Sequence, residues 1–198
     1  MNTHDASVVE RARAGDEAAF VELVEFYQGP IFRLCYRMLG EAAEAEDAAQ
    51  ETFLRAYRHL EGYLPGRSFR TWLFSIATHY CIDLLRRRRL PELPLEAEQV
   101  YRHPSLAEAG PGPEGTALQI EERAEFQALL ARLAPKDRQV ILMHYWGALS
   151  YTEIAHATGA STEAVKSRLH RARACLSKLL PARLVTADRQ LVGERMYA

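Results

Sequence analysis

Ser150-Tyr151-Thr152-Glu153-Ile154-Ala155-His156-Ala157-Thr158-Gly159-Ala160-Ser161-Thr162-Glu163-Ala164-Val165-Lys166-Ser167-Arg168-Leu169-His170-Arg171-Ala172-Arg173 is the stretch on which the fold turns. Its first four residues have the spacing of a capping box, in which Ser150 accepts from an early backbone N–H and Glu153 reaches back to the cap. That opens a short helix over 151–158, and Gly159 supplies the left-handed conformation that ends it. Ser161 is placed to cap a second helix from Thr162, in which Val165, Leu169 and Leu176 face inward. Lys166, Ser167, His170, Arg171 and Arg173 are then expected to project outward. Two helices on a tight glycine turn, the second basic on its outer face, describe a helix-turn-helix that lays its second helix in the major groove. An ordinary helical hairpin with a charged surface is the plainer alternative. The order cap, stop, cap and basic face within one short segment favours the DNA-binding reading.

Outward from this stretch, the net charge of −1 conceals alternating blocks. Residues 1–61 hold 12 acids and 6 bases, 62–89 hold 1 and 6, 90–118 hold 5 and 1, 119–149 hold 4 and 4, and 150–198 hold 4 and 8. Two basic segments parted by acidic ones suit a chain that touches a polyanion twice and keeps other faces for other partners. Arginines at helix ends that complement the macrodipole would produce part of the same pattern.

Helical periodicity runs through nearly all of the 198 residues, and no useful β-alternation appears. Ser7 to Glu10 has capping-box spacing, with Gly15 as a stop, so a first short helix is expected between them. Asp16 caps a second helix carrying Phe20, Leu23, Val24 and Tyr27, continued by Ile31, Leu34 and Met38 after Pro30, which should kink or break it. Gly40 ends it. A third helix is expected over about 44–61 with Ala48, Phe53, Tyr57 and Leu60 inward, and a fourth over about 69–89. Between 91 and 117, Pro91, Pro94, Pro104, Pro111 and Pro113 join Gly110, Gly112 and Gly115, the composition of a linker. Residues 118–133 then form one helix, and Pro135 opens another that Gly147 stops. The expected architecture is all-α, two small helical domains joined by a flexible linker: 1–90, the linker 91–117, then 118–180, with a tail over 181–198.

An apolar content of 48% excludes disorder of the whole chain, and no apolar run approaches the roughly 20 residues of a membrane span. No signal-peptide pattern opens the sequence, so the expectation is a soluble cytoplasmic protein. Cys35, Cys81 and Cys175 lie far apart along the chain in apolar helical patterns, and read as reduced core thiols.

Tyr63, Phe69, Trp72, Phe74 and Tyr80 alternate with Arg67 and Arg70, and the fourth helix closes on Arg86-Arg87-Arg88-Arg89. Rings beside arginines suit unstacked bases, each stack being worth about 1–3 kcal/mol. Most of these rings have a second explanation, since Phe69, Leu73, Ile76, Tyr80 and Leu84 share one helical face and read as core. On the third helix Asp47, Gln50, Glu51 and Leu54 fall on one side, with Phe53 adjoining. That face fits a partner helix, although spacing alone favours a solvated charged surface.

The residues resemble a known family. Asp47-Ala48-Ala49-Gln50-Glu51-Thr52-Phe53-Leu54-Arg55-Ala56-Tyr57, Phe69-Arg70-Thr71-Trp72-Leu73, Ile76-Ala77 and Ile82-Asp83-Leu84-Leu85-Arg86-Arg87 are similar to domain 2 of the bacterial sigma-70 family, in its extracytoplasmic-function form. Leu133-Ala134-Pro135, Ser150 to Ala155 and Val165 to Arg173 are similar to its domain 4. The resemblance covers about residues 7–180. It implies a transcription initiation factor, not an enzyme and without cofactors, that joins core RNA polymerase through the clamp helices and flap region and recognises promoter DNA. It implies an anti-sigma factor as a further partner, often membrane-bound.

By position, the resemblance gives Asp47, Gln50, Glu51 and Phe53 to the polymerase clamp helices, which displaces the solvated reading of that face. Tyr63, Arg67, Ser68, Phe69, Arg70, Trp72, His79, Tyr80, Arg86 and Arg87 go to the −10 element, with its flipped base near His79 and Tyr80. Lys166, Ser167, His170 and Arg171 match positions that read the −35 element, with Ser150, Tyr151, Ser161, Thr162 and Arg173 on the same DNA-binding surface. His79 departs from the family's frequent Asn, and an imidazole offers a different set of donors and acceptors to a base. His79 with Asp83 one turn on is too small a set for a metal site. Two other readings stay open: a two-domain helix-turn-helix regulator that senses a ligand, and an all-α hydrolase using the acids of 41–51 with His59 or His79. No nucleophile motif, H-E-x-x-H or phosphate loop supports the second.

Overall fold

The computed structural model describes residues 3–64, 68–88 and 117–179, with side chains from residue 6 onward and, in the last stretch, from 124. Of the linker expected over 91–117, residues 91–116 lie outside the described residues, as do the tail over 181–198 and Arg67, whereas Ala117 is already helical. The described residues form eight α-helices and one 3-10 turn. The chain divides into two compact units, Met1–Gly112 and Pro113–Ala198. No helix among the described residues is long and apolar enough to cross a membrane.

In the first unit, α1 (Thr3–Arg13), α2 (Glu17–Leu39), α3 (Ala42–His59) and α4 (Phe69–Arg87) pack around α2, which touches each of the others. Asp16 caps α2 as expected, accepting from the Ala19 N–H at 3.1 Å, and Gly40 ends it at φ 88°. Pro30 does not break this helix. Leu23, Tyr27, Ile31, Leu34, Cys35 and Met38 are buried on both sides of it, and that burial outweighs the roughly 3 kcal/mol cost of an interior proline. The expected cap at Ser7 is overturned. Helix α1 begins at Thr3, so Ser7 sits inside it, and Glu10 pairs instead with Arg13 at 3.1 Å.

Helix α3 starts two residues before the expected position, because Glu41 caps it by accepting from the N–H groups of Ala43 and Glu44. Tyr57, expected inward, is exposed and meets Phe20 edge-on at 4.9 Å. The buried face of α4 also differs from the periodic reading. Phe69, Leu73, Phe74, Ala77, Thr78 and Cys81 are buried, while Ile76, Tyr80 and Leu84 are half-buried. Contact with α2 and α3 together turns the core sector toward Phe74 and Thr78. Cys35 and Cys81 meet in this core, and the hydrogen bond between them, with burial, holds the Cys35 thiol well above its ordinary value. Cys175 is only half-buried, unlike the core thiol expected.

The second unit contains α5 (Ala117–Ala131), α6 (Pro135–Tyr145), α7 (Tyr151–Thr158) and α8 (Thr162–Leu179). Helix α5 ends two residues before the expected Leu133, and Arg138 fixes the turn that follows. Its buried guanidinium donates to the carbonyls of Ala131 at 2.8 Å and Leu133 at 3.4 Å. Val140 to Met143 form the core of α6, against which α8 places Val165, Leu169, Ala172 and Leu176. Gly147 lies just past α6 because its neighbour is backbone: a Cβ there would stand 2.4 Å from the Met143 carbonyl oxygen.

Candidate nucleic-acid and polymerase interfaces

In the second unit the local chemistry agrees with the capping signals. Ser150 Oγ accepts from the Glu153 N–H at 3.3 Å, and Glu153 Oε2 accepts from the Ser150 N–H at 2.9 Å, closing the box. Gly159 ends α7 at φ 62°, and Ser161 Oγ accepts from the Ala164 N–H at 3.2 Å to cap α8. The hydroxyls of Ser150 and Ser161 are thus occupied by caps, and Thr162 is half-buried at the start of α8. The half-buried Tyr151 ring lies 5.1 Å from His144, whose Nδ1 is 2.9 Å from the Leu149 carbonyl oxygen.

Lys166, Ser167 and His170 are exposed side by side on α8. The two arginines expected beside them behave differently. Arg171 forms a fork with Asp137 of α6, Nε to Oδ2 at 3.2 Å and Nη2 to Oδ1 at 2.9 Å. Arg173 is half-buried rather than outward, donating from Nε to the Tyr145 hydroxyl at 2.9 Å with its guanidinium 5.6 Å from that ring. Asp137 and Tyr145 were not singled out by the sequence, since no local pattern links them to α8.

In the first unit, Asp47, Gln50 and Glu51 are half-buried along α3, and Leu54 is 49% exposed beside them. Phe53 is 8% exposed, which corrects its expected place on the polymerase surface: it lies in the core beneath that face. Glu51 Oε1 accepts from Arg55 Nε at 2.6 Å, and the Arg55 guanidinium lies 4.6 Å from the Tyr80 ring centroid on α4. Burial, with Glu51 adding, holds the Tyr80 phenol above its ordinary value against the opposing charges of Arg55 and Arg87.

Two more residues expected at the DNA surface are buried. Tyr63 and Phe69 stand 5.7 Å apart in a ring cluster completed by Trp72 and, through Phe69, by Tyr27. Burial pushes the Tyr63 phenol up, and Glu10 adds to it. These two rings therefore support the loop end of α4 rather than present themselves to a base. Ser68 caps α4, accepting from the Thr71 N–H at 3.3 Å, and Arg70 lies half-buried with its guanidinium 5.3 Å from the Phe74 ring. Trp72 keeps a half-buried ring at the surface, His79 and Arg87 are exposed, and Arg86 is exposed although 3.3 Å from Asp83. Arg88, in the arginine run that closes the fourth helix but outside the expected −10 set, pairs with Glu44 of α3. Among the described residues no group of three or more His, Cys, Asp or Glu side chains is gathered to hold a metal.

Residues 23–90 match the family model for sigma-70 region 2, and residues 123–176 match that for sigma-70 region 4. The chain is 36% identical over 177 residues to the ECF RNA polymerase sigma factor SigW of Bacillus subtilis, covering 87% of this chain and 94% of SigW. It is similar to the solved structure of CnrH in complex with the cytosolic domain of CnrY, at TM-score 0.63 and 28% identity, covering 93% of this chain and 98% of that one. A sigma factor RpoE in complex with the anti-sigma factor NepR, from Bartonella quintana, shares the fold at TM-score 0.61 and 22% identity, over 81% of this chain and 95% of that one. The chain belongs to the ECF group of the sigma-70 family, and it is a transcription initiation sigma factor.

Proposed function

We propose that the two units divide promoter recognition between them, and that α3 carries the attachment to core RNA polymerase. In this reading Lys166, Ser167 and His170 of α8 read the −35 element from the major groove. Trp72, His79, Tyr80, Arg86 and Arg87 of α4 meet the −10 element, while Asp47, Gln50, Glu51 and Leu54 of α3 form the polymerase face. The observation that carries it is α8: a capped helix, packed by Val165, Leu169 and Leu176, with Lys166, Ser167 and His170 left exposed together. Such a helix presents polar tips without competing contacts, as base readout needs. Residues 1–90 act as the −10 and polymerase domain and 118–180 as the −35 domain, with 91–117 as the linker.

The chain works by binding, in the cytoplasm with the polymerase, and no chemical step is assigned to it. An anti-sigma factor is proposed as a further partner, supported by the likeness to CnrH, solved in complex with the cytosolic domain of CnrY, and by the fold shared with a sigma factor RpoE solved in complex with the anti-sigma factor NepR. Run-off transcription with core polymerase over a promoter library randomised at the −35 and −10 positions tests the reading. The expected result is a selected sequence at both positions that depends on this chain. DNA selection by the chain without polymerase, and no transcription with it, would favour the helix-turn-helix regulator instead.

A further inference from the structure

Two arginines two residues apart on α8 both turn back onto α6, one at its first turn and one at its last. Arg171 engages Asp137 through two N–H groups, and Arg173 engages the hydroxyl and ring of Tyr145. The Asp137 side chain is only 14% exposed, although Arg171 is 59% exposed. A planar guanidinium held by both oxygens of a carboxylate is fixed in direction as well as in distance. The carboxylate is itself well placed, since Asp137 lies in the first turn of α6, where backbone N–H groups favour negative charge. Lys166 and His170, by contrast, have no hydrogen bond or ion pair among the described residues.

We infer that Arg171 and Asp137 form a brace that sets the roll of α8 about its own axis, so that Arg171 is a positioning residue and base reading falls to Lys166, Ser167 and His170. The inference rests on the reading of α8 as the recognition helix. The physical need is plain. A side-chain tip about 6 Å from a helix axis moves about 1 Å for a 10° roll, enough to spoil a hydrogen bond to a base edge. Apolar packing of Val165, Leu169 and Leu176 presses α8 onto its neighbours but resists such a roll weakly, because dispersion contacts are not directional. The Arg171 fork and the Arg173–Tyr145 contact supply that direction from two sides of the helix.

The opposite possibility, that Arg171 is a base reader held in waiting by Asp137, makes the reverse prediction. Removing the carboxylate would then free an arginine and delete a negative charge near DNA, so binding would tighten. The experiment uses holoenzyme on two promoters differing only in an intact or scrambled −35 element, at fixed salt and below the melting temperature of every variant. With Asp137→Asn, affinity for the intact promoter is expected to fall by roughly fivefold or more, with little change on the scrambled one. The selected −35 sequence and the slope of affinity against salt should both stay as in the wild type, which general unfolding of the domain would not leave so. Exchanging the charges, Asp137→Arg with Arg171→Asp, should recover much of the loss. Unchanged or tightened binding by Asp137→Asn, or a changed base preference in the exchanged pair, overturns the brace. A wild-type holoenzyme that ignores the −35 element overturns the recognition-helix reading and the brace with it.

Discussion

The Arg55 guanidinium of α3 lies 4.6 Å from the centre of the Tyr80 ring of α4 while its Nε–H is held by Glu51 at 2.6 Å. One arginine thus joins a carboxylate of the proposed polymerase face to a ring of the proposed −10 face. Glu51 and Arg55 are partly exposed, so the ion pair itself adds little stability. Glu51→Gln should move the urea midpoint by no more than about 0.5 kcal/mol of stability, while holoenzyme assembly with Gln50→Ala and Glu51→Gln together weakens severalfold. Titration of labelled chain with core polymerase checks this, and an unchanged affinity would remove α3 from the interface.

Phe53 and Leu54 are adjacent in sequence and opposite in consequence. Phe53→Ala removes a buried ring and should cost about 3–5 kcal/mol of stability, measured by chemical denaturation. Leu54→Ala touches an exposed side chain and should leave the midpoint within about 0.5 kcal/mol while weakening polymerase binding. Equal destabilisation by the two would contradict the burial difference.

Gly147 and Gly62 separate a glycine kept for space from one that is not. A Cβ at Gly147 meets the Met143 carbonyl oxygen, and nothing lies within 4 Å of one at Gly62. Gly147→Ala should therefore destabilise the second unit by about 1–3 kcal/mol, because backbone cannot step aside as a side chain can. Gly62→Ala should be close to neutral in the same melting experiment.

Lys166 is exposed on the face of α8 that the −35 reading requires. Lys166→Ala should relax the selected −35 sequence at one position, at a cost of about 1–3 kcal/mol on the preferred promoter. Selection from a randomised library gives the answer directly. A uniform loss on all sequences would make Lys166 a phosphate contact.

Asp16 gives a pH signature. The Arg11 side chain, and then the Ala19 N–H, hold its carboxyl below the usual value of 3.8. A folded-state value below the unfolded one means stability that is present above the unfolded value and lost as pH falls through the folded one. The melting-temperature gap between wild type and Asp16→Asn should be full near neutral pH and shrink as pH falls below the ordinary carboxylate range. A gap that widened in acid would reverse the sign.

The devices that work within a few residues were legible in the sequence: the Ser150–Glu153 box, the stop at Gly159, the caps at Ser161 and Asp16, and the turn at Gly40. Each is a hydrogen bond or a backbone conformation closed by near neighbours, so composition and spacing suffice to state it. The order of these devices made the helix-turn-helix readable, and the motif pattern made the family readable. Periodicity also showed that α3 and α4 are amphipathic, but not which edge of each stripe is covered. Phe53 and Phe69 were already inward by periodicity, but the neighbours that α3 and α4 meet buried Phe74 and Thr78, left Ile76, Tyr80 and Leu84 half-buried, took Tyr63 into the core and kept Tyr57 outside. The meeting of Cys35 with Cys81, of Arg55 with Tyr80 and of Arg171 with Asp137 likewise joins residues far apart in the chain. No local rule encodes such pairs, because which side chains of separate helices meet depends on how whole helices come together and not on any single turn.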